Sequence, residues 1–358
     1  MEATVLTRSD ENAPTPLRPQ DTRMFLEARE GAAVVRRLIA ANAERVAALA
    51  ARLREQPPRV VMTCARGSSD HAATFARYLI ETRTGVLTSS AGLSVSSVYD
   101  ASPNLDGALC LAVSQSGKSP DLLSAVTAAK AAGAYAVAFV NVEDSPLAAL
   151  ADVVIPLHAG PELSVAATKS YIAALAAITQ LIAAWTRDEA LTAALEGLPL
   201  QLEAAWNLDW STAVDRLRDA VNLYVLGRGV GFGVALEAAL KFKETCGLHA
   251  EAFSAAEVLH GPMALVKDGF PALVFAQNDE SRDSVVEMAN GLRQRGATVL
   301  MAAPGDDDPG GLPAPLSHPV LEPILMIQSF YRMANALSVA RGYNPDRPPH
   351  LNKVTETR

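Results

Sequence analysis

Short apolar runs alternate with helical patterns along most of the chain. The first run, RVVMTCA at 59–65, leads through a polar turn into a helical segment at 71–85. Comparable runs lie at 108–113, 134–141, 152–157, 222–227, 271–277 and 297–303. Continuous β-prone runs separated by helical segments are typical of strands that are buried on both faces. The pattern therefore predicts an α/β fold in which parallel sheets are flanked by helices.

Helical periodicity marks four longer segments outside these runs. They are 22–54, 171–185, a helix that opens at Ala235, and 324–341. The first ends before Pro57 and Pro58, which cannot continue a helix. The second is the most hydrophobic segment of the chain, but its length gives only about 22 Å of helix. It is too short to cross a bilayer, so we expect a buried or interfacial helix.

Two similar turns point to an internal duplication. Arg66 and Gly67 follow the first apolar run, and Arg228 and Gly229 follow the run at 222–227, at a constant offset of 162 residues. Two domains also suit a chain of 358 residues. We predict a disordered lead at 1–20, an N-terminal helix with the first domain at 21–205, a second domain at 206–345 and a tail at 346–358.

Composition and charge argue against several classes of function. The net charge of -8 leaves no surplus of Lys and Arg for a general affinity for nucleic acid or anionic membranes. The first 20 residues contain no apolar core of a signal peptide, which predicts a cytoplasmic protein. Cys64, Cys110 and Cys246 are far apart, as expected of reduced, buried thiols. Since no spacing suggests zinc, we predict neither a metal nor a cofactor.

Two nucleotide-binding motifs are incomplete in this chain. Gly117, Lys118 and Ser119 would complete a phosphate-binding loop only with a glycine at position 112, where the chain has Ala112. The glycine-rich segment at 227–233 has Phe232 where a dinucleotide fingerprint requires its third glycine. The sequence therefore argues against both kinds of nucleotide site.

The segment SQSGKSPD at 114–121 is a candidate anion site. Ser114, Ser116 and Ser119 lie where a strand ends and a helix begins, and helix N-termini attract phosphate through their free N–H groups. Neutral donors suit an acidic protein that has to hold a phosphate. The serines at 68–69, which follow the neighbouring strand, are expected to converge on the same ligand. The alternative is a serine-rich turn in which Ser119 or Asp121 caps the helix.

A group of ionisable residues lies in the segment from 235 to 262. Glu237, Lys241 and Glu244 share one face of the predicted helix, and His260 follows in an apolar stretch. A carboxylate, an amine and an imidazole together are suited to proton transfer. The alternative is a surface helix with an ion pair and a structural histidine. For Glu237 we expect a structural role only.

Two further segments each have a structural and a functional interpretation. ELSVAATKS at 162–170 has small side chains that let backbone carbonyls approach a ligand, or it is a plain helix start capped by Thr168. Lys353 near the C-terminus has a solvated charge as its default interpretation. If the tail folds back over the ends of the strands, its amine can form a Schiff base with a carbonyl substrate.

Six separated motifs together resemble a known family. In chain order they are ARGSSD, SQSGKSPD, ELSVAATKS, LKFKE, AEVLHGP and HLNK. They resemble the sugar isomerase (SIS) half of glucosamine-6-phosphate synthase, from about Thr22 to the C-terminus. The resemblance implies two tandem SIS domains, each a flavodoxin-like parallel sheet flanked by helices. The synthase has a glutaminase domain where this chain has a short polar segment. The resemblance therefore favours the SIS-type glucosamine-6-phosphate deaminases, which form fructose 6-phosphate and ammonia.

The resemblance also implies roles for single residues. Glu244 matches the base that moves a proton between C1 and C2, and Lys241 matches the amine that stabilises the enolate or enolamine. His260 matches a ring-opening histidine that arrives from the other subunit, which implies a homodimer with shared active sites. Lys353 matches the lysine that forms a Schiff base with the open-chain ketose. The implied phosphate and sugar contacts are Ser68, Ser69, Ser114, Gln115, Ser116, Ser119, Val165 and Ala167.

Three residues depart from the family pattern. Ala167 replaces a serine near the sugar, Asn352 replaces a small residue before the lysine, and Lys118 replaces an acid in the serine loop. The expected ligand is a hexosamine or hexose 6-phosphate. The alternatives to a deaminase are a phosphosugar isomerase, a synthase-type aminotransferase without its glutaminase domain, and a non-catalytic sugar-phosphate sensor. The retained Glu244, His260 and Lys353, and the lack of a helix-turn-helix segment, favour an enzyme.

Overall fold

The chain forms two parallel β-sheets in a computed structural model that describes residues 17–101, 103–305 and 311–353. The strands of the first sheet are β1 Val61–Cys64, β2 Thr88–Ser90, β3 Leu109–Ser114, β4 Tyr135–Val140 and β5 Val153–Pro156. Those of the second are β6 Asn222–Gly227, β7 His249–Ser254, β8 Pro271–Phe275 and β9 Thr298–Ala302. Their orders are β2-β1-β3-β4-β5 and β7-β6-β8-β9, and neighbouring strands pair in parallel. The predicted α/β class is confirmed.

Helices connect the strands and cover both faces of the sheets. They are α1 Arg23–Arg29, α2 Gly31–Glu55, α3 Ser68–Thr84, α4 Ser94–Ser97, α5 Pro120–Ala131, α6 Pro146–Leu150, α7 Lys169–Thr186, α8 Glu189–Trp206, α9 Ser211–Leu217, α10 Val230–Cys246, α11 Arg282–Gln294 and α12 Glu322–Ala340. Short 3₁₀ turns lie at Pro19–Asp21, Ala255–His260 and Pro262–Leu265. In such sheets ligands bind beyond the carboxyl ends of the strands, where the strand order reverses.

The duplication is visible in the strand register and in the turns. Cys64 of β1 pairs with Ala112 of β3, and Leu226 of β6 pairs with Val274 of β8, which are the positions offset by 162 residues. Gly67 has φ 56° and ψ -132°, and Gly229 has φ 58° and ψ -133°. The two halves therefore enter α3 and α10 through the same backbone conformation.

One continuous apolar core contains a face of each sheet together with α3, α7 and α10. Almost all residues of α7 are buried, as the apolar pattern predicts. Helices α3 and α10 approach closely because Gly233 has no side chain: a Cβ there would lie 2.6 Å from the His71 carbonyl oxygen. Tyr171 of α7 donates a hydrogen bond to the Gly233 carbonyl oxygen at 3.0 Å. In the described part of the chain, no helix is both long and apolar enough to span a bilayer.

Several element boundaries differ from the predicted ones. The helix predicted at 22–54 is interrupted at Glu30, and α3 and α10 begin at Ser68 and Val230, earlier than predicted. Strands β2 and β7 are not evident in the sequence because neither is continuously apolar: β2 is the three residues TSS and β7 is HAEAFS.

The predicted lead and tail are only partly described. Residues 1–16 of the predicted disordered lead lie outside the described residues, as do 354–358 of the tail. Disorder is wrong for the end of the lead, since residues 19–21 form a turn whose Pro19 carbonyl oxygen accepts a hydrogen bond from Asn335. The domain boundaries stay a prediction.

Candidate functional site

The serine loop, residues 114–119, joins β3 to α5. Ser114 Oγ accepts a hydrogen bond from Gly117 N at 3.0 Å, and Ser116 Oγ accepts one from Lys118 N at 3.4 Å. Gly117 has φ +65°, and a Cβ at this position would lie 2.3 Å from Ser145 Oγ. Only glycine fits here, so the tight turn holds the loop at the N-terminus of α5. The position at a helix N-terminus is suited to an anion.

Asp121 ties the serine loop to the end of β1. Its Oδ1 accepts hydrogen bonds from Ser119 Oγ at 2.6 Å and from Leu122 N at 2.8 Å. Arg66 places Nε and a terminal nitrogen 2.9 and 2.7 Å from Asp121 Oδ2. Ser119 occupies the N-cap position, but its side chain does not cap α5. Arg66 was not among the predicted site residues, yet it supplies a guanidinium at the mouth of the site.

A cavity of about 370 Å³ opens at this end of the first sheet. It brings together the serine loop, the start of α3, residues near 165, the end of α10 and the C-terminal tail. The lining contains ten of the predicted site residues, namely Ser68, Ser69, Ser114, Gln115, Ser116, Ser119, Val165, Ala167, Glu244 and Lys353. Arg66 and Asn352 also line it. The structure therefore joins segments that are nearly 300 positions apart in the chain, since Lys353 and Arg66 line the same cavity.

Lys241 lies directly behind this cavity and is fully buried. Its ammonium group forms a short ion pair with Glu244 and lies 3.4 Å from Glu237 Oε1. Burial lowers the pKa of Lys241, but the carboxylates of Glu237 and Glu244 outweigh this effect and raise it. Lys241 is therefore a permanent ammonium that fixes Glu244, whose side chain remains partly exposed to the cavity.

Glu237 is the centre of a buried network that the sequence did not reveal. Its carboxylate accepts hydrogen bonds from Ser68 Oγ and Tyr331 Oη, both at 3.1 Å, and lies 3.0 Å from His71 Nδ1. Burial and the nearby Glu237 carboxylate raise the pKa of Tyr331 well above its usual value. Spacing on α10 pointed to Lys241 as a partner of Glu237. His71 and Tyr331 come from α3 and α12, so no local pattern indicated them.

Lys353 folds back into the site rather than into solvent. Its ammonium nitrogen lies 3.1 Å from Glu162 Oε2, and Glu162 is buried. Burial would raise the pKa of Glu162, but the Lys353 ammonium and hydrogen bonds from Thr168 and Ser170 outweigh it and hold this pKa below the usual value. A solvated lysine is therefore the wrong interpretation of Lys353.

Glu162 also explains the conformation of the segment that precedes α7. It accepts hydrogen bonds from Thr168 N at 3.0 Å, Ser170 N at 3.1 Å and Ser170 Oγ at 2.7 Å. Thr168 holds the N-cap position, but its side chain makes no cap hydrogen bond, so capping by Thr168 is wrong. Glu162 performs that task from outside the helix. Its charge is thus shared between the start of α7 and Lys353.

His260 does not line the cavity that contains Glu244. It is an exposed residue at the end of the 3₁₀ turn after β7, in a different cavity of about 870 Å³. Arg228 and Met263 share that cavity with it, and the neighbouring Leu259 is 64% exposed. One chain by itself therefore does not bring His260 to Glu244.

The fold and these motifs define an SIS-domain protein. The SIS domain family matches residues 54–184 and 216–309, which fall on the two sheets with their flanking helices. The chain belongs to this family. It is 37% identical over 311 residues to a protein of Aeropyrum pernix named glutamine–fructose-6-phosphate aminotransferase [isomerizing], covering 80% of this chain and 49% of that protein. The chain thus spans about half the length of the curated relatives it matches.

Two solved structures illustrate the similarity in three dimensions. One, from Silicibacter pomeroyi DSS-3, carries a provisional name as a phosphosugar isomerase. It is 46% identical, covers 91% of this chain and all of its own, and has a TM-score of 0.87. The other is glucosamine-6-phosphate deaminase from Thermotoga maritima, which is 22% identical, covers 94% of this chain and all of its own, and has a TM-score of 0.76. At that identity the second comparison supports the fold alone.

Proposed function

We propose that this chain is an enzyme that binds a hexosamine or hexose 6-phosphate and moves a proton between C1 and C2 of the open-chain sugar. The observation that carries the proposal is the composition of one cavity. It combines an anion-binding loop, a carboxylate fixed by a buried ammonium and a second amine from the tail. Aldose–ketose chemistry needs these groups together, namely a phosphate anchor, a base and an electron sink.

The serine loop is suited to the phosphate. Ser116 and Ser119 line the cavity at the N-terminus of α5, whose dipole favours an anion, and Arg66, ion-paired with Asp121, lies at its mouth. Anchoring the phosphate here fixes the far end of the sugar. C1 and C2 are then expected to lie towards Glu244 and Lys353.

Glu244 is the proposed base. It removes the proton from C2 of the open-chain aldose and returns it to C1, while the charge that develops on the oxygen or nitrogen is stabilised by the Lys241 ammonium. The short ion pair between the two side chains holds Glu244 in one orientation. Because Lys241 also lies beside Glu237, it is positioned from two sides.

Lys353 is the proposed Schiff-base amine. After proton transfer, C2 of an amino sugar is an iminium carbon. The neutral amine of Lys353 adds there and ammonia leaves, which gives a lysine Schiff base that water hydrolyses to the ketose. Glu162, 3.1 Å away, orients the amine, and the ammonium loses its proton to solvent before the addition.

Ring opening is assigned to His260 from a second copy of the chain. The support is the exposure of His260 and Leu259 beyond the end of β7, at a distance from their own Glu244 cavity. We therefore propose a homodimer in which each subunit completes the other's site.

Within this class we propose the deamination of glucosamine 6-phosphate to fructose 6-phosphate and ammonia. The support is twofold. Relatives that are 34% and 37% identical carry a name that joins fructose 6-phosphate to amino-group transfer, and an amino-sugar deaminase shares the fold. The Lys353–Glu162 pair is also suited to exchanging an amine at C2.

The test is to incubate the purified chain with glucosamine 6-phosphate and to measure ammonia and fructose 6-phosphate separately. We expect both products in equal amounts. Conversion of glucose 6-phosphate to fructose 6-phosphate without release of ammonia from glucosamine 6-phosphate would identify a plain phosphosugar isomerase instead. Tight binding of either phosphate without turnover in both assays would identify a sugar-phosphate sensor.

A further inference from the structure

Helix α1 has an N-terminus that is capped by residues from both ends of the chain. Thr22 Oγ1 accepts a hydrogen bond from Phe25 N at 3.1 Å. The Asp346 carboxylate, which is more than 300 positions away, accepts Arg23 N and Met24 N at 2.8 Å each. These bonds satisfy the first three free N–H groups of the helix. A cap of this kind ties the segment that carries Asp346 to α1.

The same helix holds the segment that precedes α7. Glu27 is buried, and its two carboxylate oxygens accept hydrogen bonds from Leu163 N and Ser164 N. Just after α1, Glu30 forms an ion pair of 2.7 Å with Lys169, whose side chain is only 3% exposed. The carboxylates of Glu27 and Glu30, on and just after this seven-residue helix, therefore hold both ends of the segment 163–169.

The two anchored segments meet at the Lys353–Glu162 pair. Glu162 directly precedes the residues that Glu27 holds, and Lys353 follows Asp346 by seven residues. Between Asp346 and Lys353 the chain contains Pro348 and Pro349, whose fixed φ angles limit how far that stretch can relax. Fixing Asp346 therefore restricts where Lys353 can reach.

We propose that α1 sets the position of the Lys353 amine, with Asp346 and Glu27 as positioning residues that act through the tail and through the Glu162 segment. The inference rests on the proposed role of Lys353 in the reaction. Neither Asp346 nor Glu27 lines the cavity, so both act at a distance through the backbone they hold.

The first test measures the position of the amine without any activity. The full chain is treated with a limiting amount of acetic anhydride, and acetylation of Lys353 is measured by mass spectrometry relative to the exposed Lys118. In Asp346→Ala we expect the relative labelling of Lys353 to rise about fivefold or more, because a lost cap releases the tail. Asp209→Ala is the matched control, since Asp209 accepts Ser211 N at the start of α9. Equal labelling in both variants would overturn the proposal, even if both are less stable.

The second test separates positioning from substrate binding. In Asp346→Ala we expect kcat to fall about tenfold while KM changes less than about twofold, because the serine loop is untouched. Cyanoborohydride trapping of fructose 6-phosphate on Lys353 should fall in parallel, and Asp346→Asn, which keeps one acceptor oxygen, should recover part of it. A change in KM alone would contradict a positioning role.

A third variant tests the contact between Glu27 and the segment next to Glu162. It also serves if Asp346→Ala folds poorly. Glu27→Gln leaves only one acceptor oxygen for Leu163 N and Ser164 N, and we expect the same rise in Lys353 labelling. No rise there would limit the proposal to Asp346, and no rise in either variant would reject it. If the wild-type chain neither turns over nor traps the ketose, the proposed function fails, while the labelling still decides whether α1 positions the tail.

Discussion

The two halves of the molecule share the same arrangement of strands, turns and helices, but their loops differ in the residues that form the candidate site. At the offset of 162 residues, the loop SQSGKSPD after β3 corresponds to AQNDESRD after β8, and α5 and α11 begin at corresponding residues. Hydroxyls are lost at four positions of the second half, where Ser68, Ser69, Ser114 and Ser116 become Val230, Gly231, Ala276 and Asn278.

The second loop is also closed from within and carries negative charge. Gly117 corresponds to Asp279, whose Oδ1 accepts a hydrogen bond from Ser281 N at 2.9 Å. The buried Gln277 donates to Asp279 at 2.8 Å and to the Arg228 carbonyl oxygen at 2.8 Å. Its Oε1 would lie 2.3 Å from a Cβ at Gly231, the counterpart of Ser69, so the amide occupies this space. Duplicated backbone alone therefore does not make an anion site.

The largest effect is expected for a variant that tests whether the site in the first half is catalytic. Glu244→Gln removes the proposed base but keeps the size of the side chain, so we expect kcat to fall by at least about 10³-fold. Binding of the sugar phosphate, measured by calorimetry, should persist. The exposed Glu196→Gln on α8 is the control and should keep full activity. An active Glu244→Gln variant would show that another group moves the proton.

The next largest effect is expected when the first loop receives the residue that the second loop has at the corresponding position. Gly117→Asp places a carboxylate where the phosphate is expected and a side chain where Ser145 leaves no room. We expect affinity for fructose 6-phosphate to fall by about 100-fold or more, because like charges in contact cost several kcal/mol. The reciprocal Asp279→Gly should leave this affinity unchanged. Retained binding in Gly117→Asp would place the phosphate elsewhere.

A smaller effect follows from removing one hydroxyl. Ser116→Ala should weaken phosphosugar binding by roughly tenfold or slightly more, since one hydrogen bond to a charged group contributes about 1.5–3 kcal/mol. Ser281→Ala in the second loop should not change it, although it removes a hydrogen bond to Asp279. Isothermal titration of both variants with fructose 6-phosphate makes the comparison. Equal losses in the two would mean that the halves do not differ in phosphate binding.

The smallest expected effect is on the pH dependence of folding stability, through the ion pair of Glu162 and Lys353. The pKa of Glu162 is lowered in the folded chain, since Lys353 and the hydrogen bonds outweigh burial, so the carboxylate contributes stability above its unfolded-state pKa near 4.5. That contribution is lost as pH falls through the lower folded-state pKa. We expect Lys353→Met to be less stable than wild type at pH 7, by roughly 1 kcal/mol, with the difference shrinking towards acid pH. Urea unfolding at several pH values measures it. A difference that does not depend on pH would contradict the ion pair.

The apolar periodicity predicted the parallel strands with continuous runs, and the glycine turns at 67 and 229 predicted the duplication. Strands β2 and β7 escaped prediction because polar residues interrupt both, TSS in β2 and HAEAFS in β7, whereas the other edge strands, β5 and β9, are apolar runs. In the site, the serine loop and the pair of Lys241 and Glu244 were local patterns. Glu162 and Arg66 were missed because their partners, Lys353 and Asp121, are remote in the chain.

The sequence by itself determined the class of fold, the SIS resemblance and the candidate residues for phosphate binding and proton transfer, because periodicity and short motifs are properties of neighbouring residues. Only the tertiary structure decided that the tail returns to Glu162 and that Glu237 gathers Ser68, His71 and Tyr331. It also decided that Gln277 fills the second loop. These contacts join groups from different elements, and their geometry depends on how the helices and sheets pack, which no local pattern records.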